Sequence, residues 1–190
     1  MIFAALDLSV AAWIASVRTF AGVRFFTFVT SFGKPFAATL LLCVLLGVWW
    51  AQNKRAQSYA LAFAVAGSML SSTVLKLLVA RARPDYALFA ESTYSFPSSH
   101  SVIAVSFFAY AGFLMARGYE SPRARFLVRF FALFLSGLIA FSRLYLGVHF
   151  ATDVLAGGLL GLGWVVVANV LLRKKFFGSD TKERAGSGSK

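Results

Sequence analysis

Three stretches of the chain, residues 35–53, 56–75 and 154–172, each run for 19 or 20 residues without a formal charge. As helix, at about 1.5 Å per residue, each is long enough to cross the ~30 Å hydrocarbon layer of a bilayer. A helix also satisfies its own backbone hydrogen bonds in lipid, so these stretches predict membrane-spanning helices before any other feature is considered. Two more stretches are interrupted but long enough: residues 98–116, charged only when His100 is protonated, and residues 126–147, with Arg129 near one end and Arg143 near the other. Arg129 can snorkel to the headgroups. With 59% apolar and 14% charged residues, the composition excludes a disordered chain and an ordinary soluble one.

The predicted fold class is therefore all-α: a polytopic helical membrane protein of five to six transmembrane helices, with its functional loops at one membrane face. The 190 residues show no internal repeat and leave no room between spans for a soluble domain. Residues 1–32 are expected to form interfacial helices or a weak extra span, because residues 2–17 are short, contain Asp7 and precede Arg18 and Arg24. A cleaved signal peptide is disfavoured, since no basic region precedes this stretch. Residues 33–175 form the membrane domain, and residues 176–190, rich in small and charged side chains, are expected to be a disordered cytoplasmic tail. The single Cys43 permits no internal disulfide and carries no compartment information.

Nineteen Lys and Arg against seven acids give a formal charge of +12. Threading five spans puts Lys54, Arg55, Arg117, Arg123, Arg125 and the basic tail on one side, which the positive-inside rule makes cytoplasmic. Juxtamembrane charge of that kind accounts for the excess without any nucleic acid partner. The other side receives only Lys76, Arg81, Arg83 and Arg143. Lys76 and Arg83 are seven positions apart, close to two helical turns, so both would project from one face of a helix continued that far; Pro84 then ends it, and the extended geometry it imposes on the preceding residue would turn Arg83 from the helix end into the loop. Residues Ser95-Phe96-Pro97-Ser98-Ser99-His100-Ser101 read as a helix start, in which Ser98 or Ser99 can cap the first turn. The exposed amides of such a turn favour an anion, and a histidine among them points to a bound one. His149 and Asp153 are four apart. On the helix opening the last span, the carboxylate can accept the imidazole Nδ1–H and leave Nε2 free as nucleophile or base. Asp153 is also the one acid within or bordering a confident span, and intramembrane carboxylates are functional by default.

Lys76 with six residues before Arg83-Pro84, then Pro97-Ser98-Ser99-His100, then Ser142-Arg143 with five residues before His149 and three more before Asp153, resemble the three-part signature of the type-2 phosphatidic acid phosphatase superfamily. The resemblance covers about residues 35–172 and departs from the common pattern at Ser99, where the family usually has glycine. It implies a membrane lipid phosphate phosphatase that hydrolyses a phosphomonoester or diphosphate of a lipid, of the undecaprenyl diphosphate, phosphatidylglycerophosphate or phosphatidic acid type. In that assignment His149 is the nucleophile, held by Asp153, and forms a phosphohistidine; His100 is the general acid and base. Lys76, Arg83, Ser98, Ser99 and Arg143 bind the phosphate. No cofactor or metal is implied, and the partners are the bilayer and its lipid, with no protein partner. The charge asymmetry sets the site on the periplasmic or outer face of a bacterial plasma membrane and the C-terminus in the cytoplasm. The same residues would also serve a lipid phosphotransferase or a non-enzymatic transporter or scaffold for anionic lipid. A vanadium haloperoxidase shares the anion site, but five spans argue against that soluble class.

Overall fold

A computed structural model describes residues 2–177. Among the described residues every regular element is helical: α1 (Ile2–Val17), α2 (Phe20–Phe32), α3 (Pro35–Ala51), α4 (Arg55–Val79), α5 (Ser99–Ala116), α6 (Pro122–Tyr145) and α7 (Ala151–Phe177). Local sequence explains several of the starts. The Thr19 side chain accepts the Gly22 N–H at the head of α2, Pro35 opens α3, and Ser121 caps Ala124 while Pro122 opens α6. α7 continues to Phe177; residues 178–190, most of the expected tail, lie outside the described residues.

Helices α4, α5, α6 and α7 are long and apolar enough to cross a membrane. α3 has 17 residues, about 25 Å of helix. It stops at Ala51 because Asn53 adopts a left-handed φ of 57°, two residues before the end of the uncharged stretch. α1 and α2 form a bent pair with an angle of 120° between them, and both bind one end of the bundle. Asp7 meets Arg81 and Thr152, Arg18 and Thr19 meet Tyr145, and Thr30 meets Arg143.

α5 is the central helix: 67% of its span is buried, against 17% or less for α4, α6 and α7. The others turn apolar side chains outward, as on α6, where Phe126, Phe130 and Phe134 stack in sequence with ring centroids 6.1 Å apart. Such a face is stable only against an apolar surround. Residues 104–109 of α5 are π-helical, and Ser136 of α6 donates to the Ala104 carbonyl at 2.7 Å within this wider turn.

Glycines set the closest helix approaches. A Cβ on Gly157 would lie 2.6 Å from the Ser98 carbonyl oxygen, and one on Gly161 would lie 2.9 Å from that of Val102. Small residues four apart thus let α7 lie directly against the first turns of α5. That contact joins the starts of both helices at one end, where the Ser98 N–H donates to the Asp153 carbonyl at 3.1 Å. Gly157→Leu is expected to lower stability by about 1–3 kcal/mol, seen as an earlier thermal unfolding midpoint in detergent. Gly163→Leu, with open space around its site, is expected to leave the midpoint near that of the parent.

Candidate active site

The C-terminal ends of α4 and α6 and the N-terminal ends of α5 and α7 meet at the same end of the bundle, and the loop of residues 80–98 folds across it. All eight residues singled out from the sequence lie there, though His149 reaches it differently from expectation. α4 does not carry Arg83. It ends at Val79, with Ala80 left-handed (φ 46°) and its N–H bonded to the Lys76 carbonyl. Helical phase therefore does not align Lys76 with Arg83. Instead the loop returns Arg83, and Lys76 Nζ and Arg83 both donate to the Tyr94 carbonyl, at 2.6 and 3.4 Å. His149 likewise precedes α7 rather than standing on it. The turn at Gly147 (φ 71°) carries it to Asp153, whose Oδ2 accepts the Phe150 N–H at 2.9 Å and lies 3.4 Å from His149 Nδ1.

Ser98 occupies the cap position of α5, but its hydroxyl makes no cap bond; it is buried and has no partner. Ser99 is the first helical residue. Among the described residues positive φ angles fall at Asn53, Ala80 and Gly147, so serine in the usual glycine position meets no left-handed geometry. The His100 ring is backed by Gly33, where a Cβ would come within 2.7 Å of it.

Arg83 is the hub. Its Nε donates to the Thr93 carbonyl at 2.7 Å and Nη1 to the Val148 carbonyl at 2.8 Å; Nη1 also lies 3.2 Å from His149 Nε2. A guanidinium can only donate, so that contact fixes the imidazole lone pair on Nε2 and the proton on Nδ1, facing Asp153. Burial pulls the His149 imidazole down to about 4, with Arg143 and Arg83 adding to the effect and Asp153 opposing it. The ring is thus neutral at physiological pH. Arg143, buried at the end of α6, donates to Thr30 Oγ1 at 2.7 Å and to Glu91. Glu91 also lies 3.0 Å from Arg83 Nη2. One carboxylate therefore bridges the two guanidiniums.

The sequence gives Asp7, Thr30 and Glu91 no part in the site, and Arg81, read there as one of four cations on this side, is turned to carboxylates. Arg81 donates to Asp153 Oδ1 and to Asp7 Oδ2, both at 2.7 Å; Thr30 and Glu91 hold Arg143. Arg18 and Lys34 also fall at this end of the chain path, so its positive charge exceeds the four residues first assigned to that side. A cavity of about 540 Å³ opens beside the cluster, lined by Lys76, Leu77, Arg83, Glu91, Thr93 and Tyr94 among others. Ser98 Oγ, His100 Nε2, Ser101 Oγ, Arg143 Nε and His149 Nδ1, whose 3.4 Å contact with Asp153 is too long for a well-formed hydrogen bond, are buried without a partner, as are the Ser72, Ser106 and Tyr110 hydroxyls elsewhere on α4 and α5. So many unpaired polar atoms in one place mark a site built for a polar ligand.

Together these features define a helical membrane protein with a cationic, histidine-bearing cleft at one end of its bundle. Residues 57–177, more than half of the chain, match the PAP2 superfamily, and the chain belongs to it. Phosphatidylglycerophosphatase B of Bacillus subtilis is 40% identical over 95 residues, which are 49% of this chain and 47% of that protein. Lipid phosphate phosphatase gamma of Arabidopsis thaliana is 29% identical over 114 residues, 55% of this chain and 50% of that one. The chain thus spans about half the length of these curated relatives. The crystal structure of the transmembrane PAP2-type phosphatidylglycerolphosphate phosphatase from Bacillus subtilis matches with a TM-score of 0.79 and 28% identity, over 89% of this chain and 85% of that one. Aquifex aeolicus LpxE, at 24% identity and a TM-score of 0.68 over 86% and 94% of the two chains, shares the fold.

Burial raises the Glu91 carboxyl, but Arg143 and Arg83 outweigh it and hold the group below its usual range. The bridge therefore stabilises the protein fully above the unfolded-state value of about 4.3 and loses that contribution as pH falls through the lower folded-state value. Thermal midpoints in detergent are expected to favour the parent over Glu91→Gln at pH 7, with the gap closing under acid.

Proposed function

We propose that the protein is an integral-membrane lipid phosphate phosphatase, acting on a phosphomonoester or diphosphate through a phosphohistidine on His149. One observation carries this reading: His149 presents its Nε2 lone pair to Arg83, within a cluster whose second guanidinium, Arg143, shares a single carboxylate with the first. Two forked donors around one small anion are what a phosphoryl group requires, and the nucleophile sits beside them. Phosphate takes the position of the Glu91 carboxylate.

His149 Nε2 then forms a bond to phosphorus while the bond to the leaving oxygen breaks, and His100 gives that oxygen its proton. Asp153 accepts the Nδ1–H and balances the positive charge that develops on the ring. In the second step His100 takes a proton from water, the water oxygen bonds to phosphorus, and the N–P bond breaks, restoring His149 and releasing phosphate. Lys76, Arg83, Arg143, Ser98 and the Ser99 amide hold the equatorial oxygens as their charge develops.

The cavity favours a lipid substrate. Leu77 lines it and is 68% exposed on α4, so an acyl or prenyl chain can remain outside the bundle while the headgroup enters. The names of the curated relatives, a phosphatidylglycerophosphatase and a lipid phosphate phosphatase, support phosphatidylglycerophosphate or another lipid phosphate as the substrate type; phosphatidic acid presents the same terminal phosphomonoester, and undecaprenyl diphosphate presents a similar terminal phosphate with a phosphate leaving group. Lys54, Arg55, Arg117, Arg123 and Arg125 gather at the opposite end, and only with Arg173, Lys174, Lys175 and the basic residues of the tail does that side outnumber the cations of the site end; this balance supports a cytoplasmic C-terminus and a site on the outer or periplasmic face of a bacterial plasma membrane. Residues 2–32 are best understood as an interfacial pair of helices over the site.

Purified protein in detergent is expected to release phosphate from lipid phosphates, with His149→Ala and His100→Ala each losing about 10²- to 10⁴-fold in rate. Parental rates in both variants would overturn the mechanism. Among the described residues no cluster of His, Cys, Asp or Glu could hold a metal ion, and activity is expected to survive chelators. Removing the competing carboxylate in Glu91→Gln is expected to tighten inhibition by inorganic phosphate several-fold in the same assay. Unchanged inhibition would show that phosphate does not take the carboxylate's place.

A further inference from the structure

The catalytic pair has a second layer behind it, contributed from the far end of the sequence. Asp7 of α1 is only 4% exposed. Its Oδ1 accepts the Thr152 backbone N–H at 2.9 Å, and its Oδ2 accepts the Thr152 hydroxyl at 2.8 Å and Arg81 Nη2 at 2.7 Å. Arg81 turns its other terminal nitrogen to Thr152 Oγ1 and Asp153 Oδ1, both at 2.7 Å, and lays its guanidinium 4.0 Å from the Phe150 ring centroid. The two oxygens of Asp153 are thereby divided: Oδ1 faces Arg81, and Oδ2 faces the Phe150 N–H and His149. α1 lies outside residues 57–177 matched to the superfamily.

We propose that Asp7, acting through Arg81, is a positioning residue of the reaction, and that α1 is part of the active site rather than a membrane anchor alone. The inference rests on the phosphatase reading above. Two consequences of the geometry support it. First, Asp7 caps the opening turn of α7 and, with Arg81, leaves Asp153 a single orientation, the one that faces His149. Second, the three groups sum to one negative charge. Arg81 alone would neutralise Asp153 just where the imidazole needs a negative partner as it bonds to phosphorus; Asp7 supplies the carboxylate that compensates Arg81. Asp7 itself reaches no part of the 540 Å³ cavity lining, and Arg81, which does line it, has its own bond to Asp153 that does not depend on Asp7, so the effect of Asp7 is expected on turnover more than on substrate affinity.

The test compares the parent with Asp7→Asn, Asp7→Ser, Arg81→Gln and the double variant Asp7→Asn/Arg81→Gln, using phosphate release from a phosphatidic acid-type lipid in detergent. Both Asp7 variants are expected to lower kcat at least tenfold with KM within twofold of the parent. The acid limb of kcat is expected to move to lower pH, because an uncompensated Arg81 makes His149 less basic. The other charged and titratable groups facing this centre stay constant across the series: Arg83 and Glu91 from the 80–98 loop, Lys76 from α4, His100 from α5, Arg143 from α6, and Tyr86 and Arg18 beside Asp7. The double variant is expected to lose less than the product of the single losses, since it removes the uncompensated cation. Thermal unfolding identifies any variant that fails to fold, and Asp7→Ser, the smaller side chain, serves as the second route. NMR titration of the His149 ring reads the same coupling without turnover, with a downward shift expected in Asp7→Asn. Single variants within twofold of parental kcat, an unmoved acid limb and ring titration, or losses that simply multiply would overturn the proposal. A parent that releases no phosphate would instead overturn the phosphatase reading, leaving the ring titration to decide the role of Asp7.

Discussion

Asp153 has no exposed surface and stands at the head of a helix otherwise built for lipid. An isolated carboxylate in that position would cost several kcal/mol of lost hydration, so its partners are a condition of the fold. They come from three directions: the Arg81 guanidinium, the Phe150 amide and the His149 ring, while Asp7 caps the adjacent Thr152 amide and holds Arg81 in place. Satisfying that one group fixes where α7 begins and how the Gly147 turn approaches it. Through the Ser98 amide on the Asp153 carbonyl, it also fixes where α5 begins. The site is therefore assembled by the same interactions that make a buried acid tolerable.

The cations obey the same rule. Arg83 and Arg143 are both largely withdrawn from water, and the chain gives them backbone carbonyls, Thr30, Thr93 and the shared Glu91 carboxylate. Burial lowers the Arg83 guanidinium from its usual value while Glu91 and Asp153 raise it; a guanidinium stays charged in any case, and the anions beside it offset the cost of burying that charge. An anion bound between the two arginines need supply only the interactions that Glu91 already supplies. Exchange of one anion for another avoids the desolvation that burying a bare phosphate against unpaired cations would demand.

Much of this was legible in the sequence because the membrane imposes simple rules on composition. Uncharged runs revealed the spans, and Lys76, Arg83, Ser98, His100, Arg143, His149 and Asp153 stood out by their spacing. What failed was local geometry: α4 stops at a left-handed Ala80, ahead of the end that the sequence predicts at Pro84, and the Gly147 turn lifts His149 off α7. Neither leaves a periodicity signal, because each is a local turn at a helix end, Ala80 bonded back to Lys76 and Gly147 to Leu144. Asp7 did leave one, an acid within an apolar run, and it was used only to demote the segment as a span. Arg81 was seen as a charge on the poorer side but given no partner. Glu91, on a polar loop among other exposed residues, carried no sequence signal; only the folded loop sets it between two arginines. The small-residue pair Gly157 and Gly161 was readable, and its meaning depended on knowing that α5 is the neighbour.

The two halves of the cluster are tied down differently, and this bears on how a cleft with an internal anion can still admit another. The Asp7, Arg81, Thr152 and Asp153 network is closed: each charge has an opposite charge, and its strongest contacts join α1, the 80–98 loop and α7. The Arg83 side is anchored chiefly to main-chain oxygens of Thr93, Tyr94 and Val148, while Lys76 holds Tyr94 and Ser95 holds the Arg81 and Ala82 carbonyls. Those bonds do not involve Glu91. Its carboxylate can therefore leave the two guanidiniums while the loop keeps its path and Arg83 keeps its place. On the proposed mechanism the His149 lone pair then needs only a change of partner, from the Arg83 N–H to the phosphorus of an anion held by the same arginine.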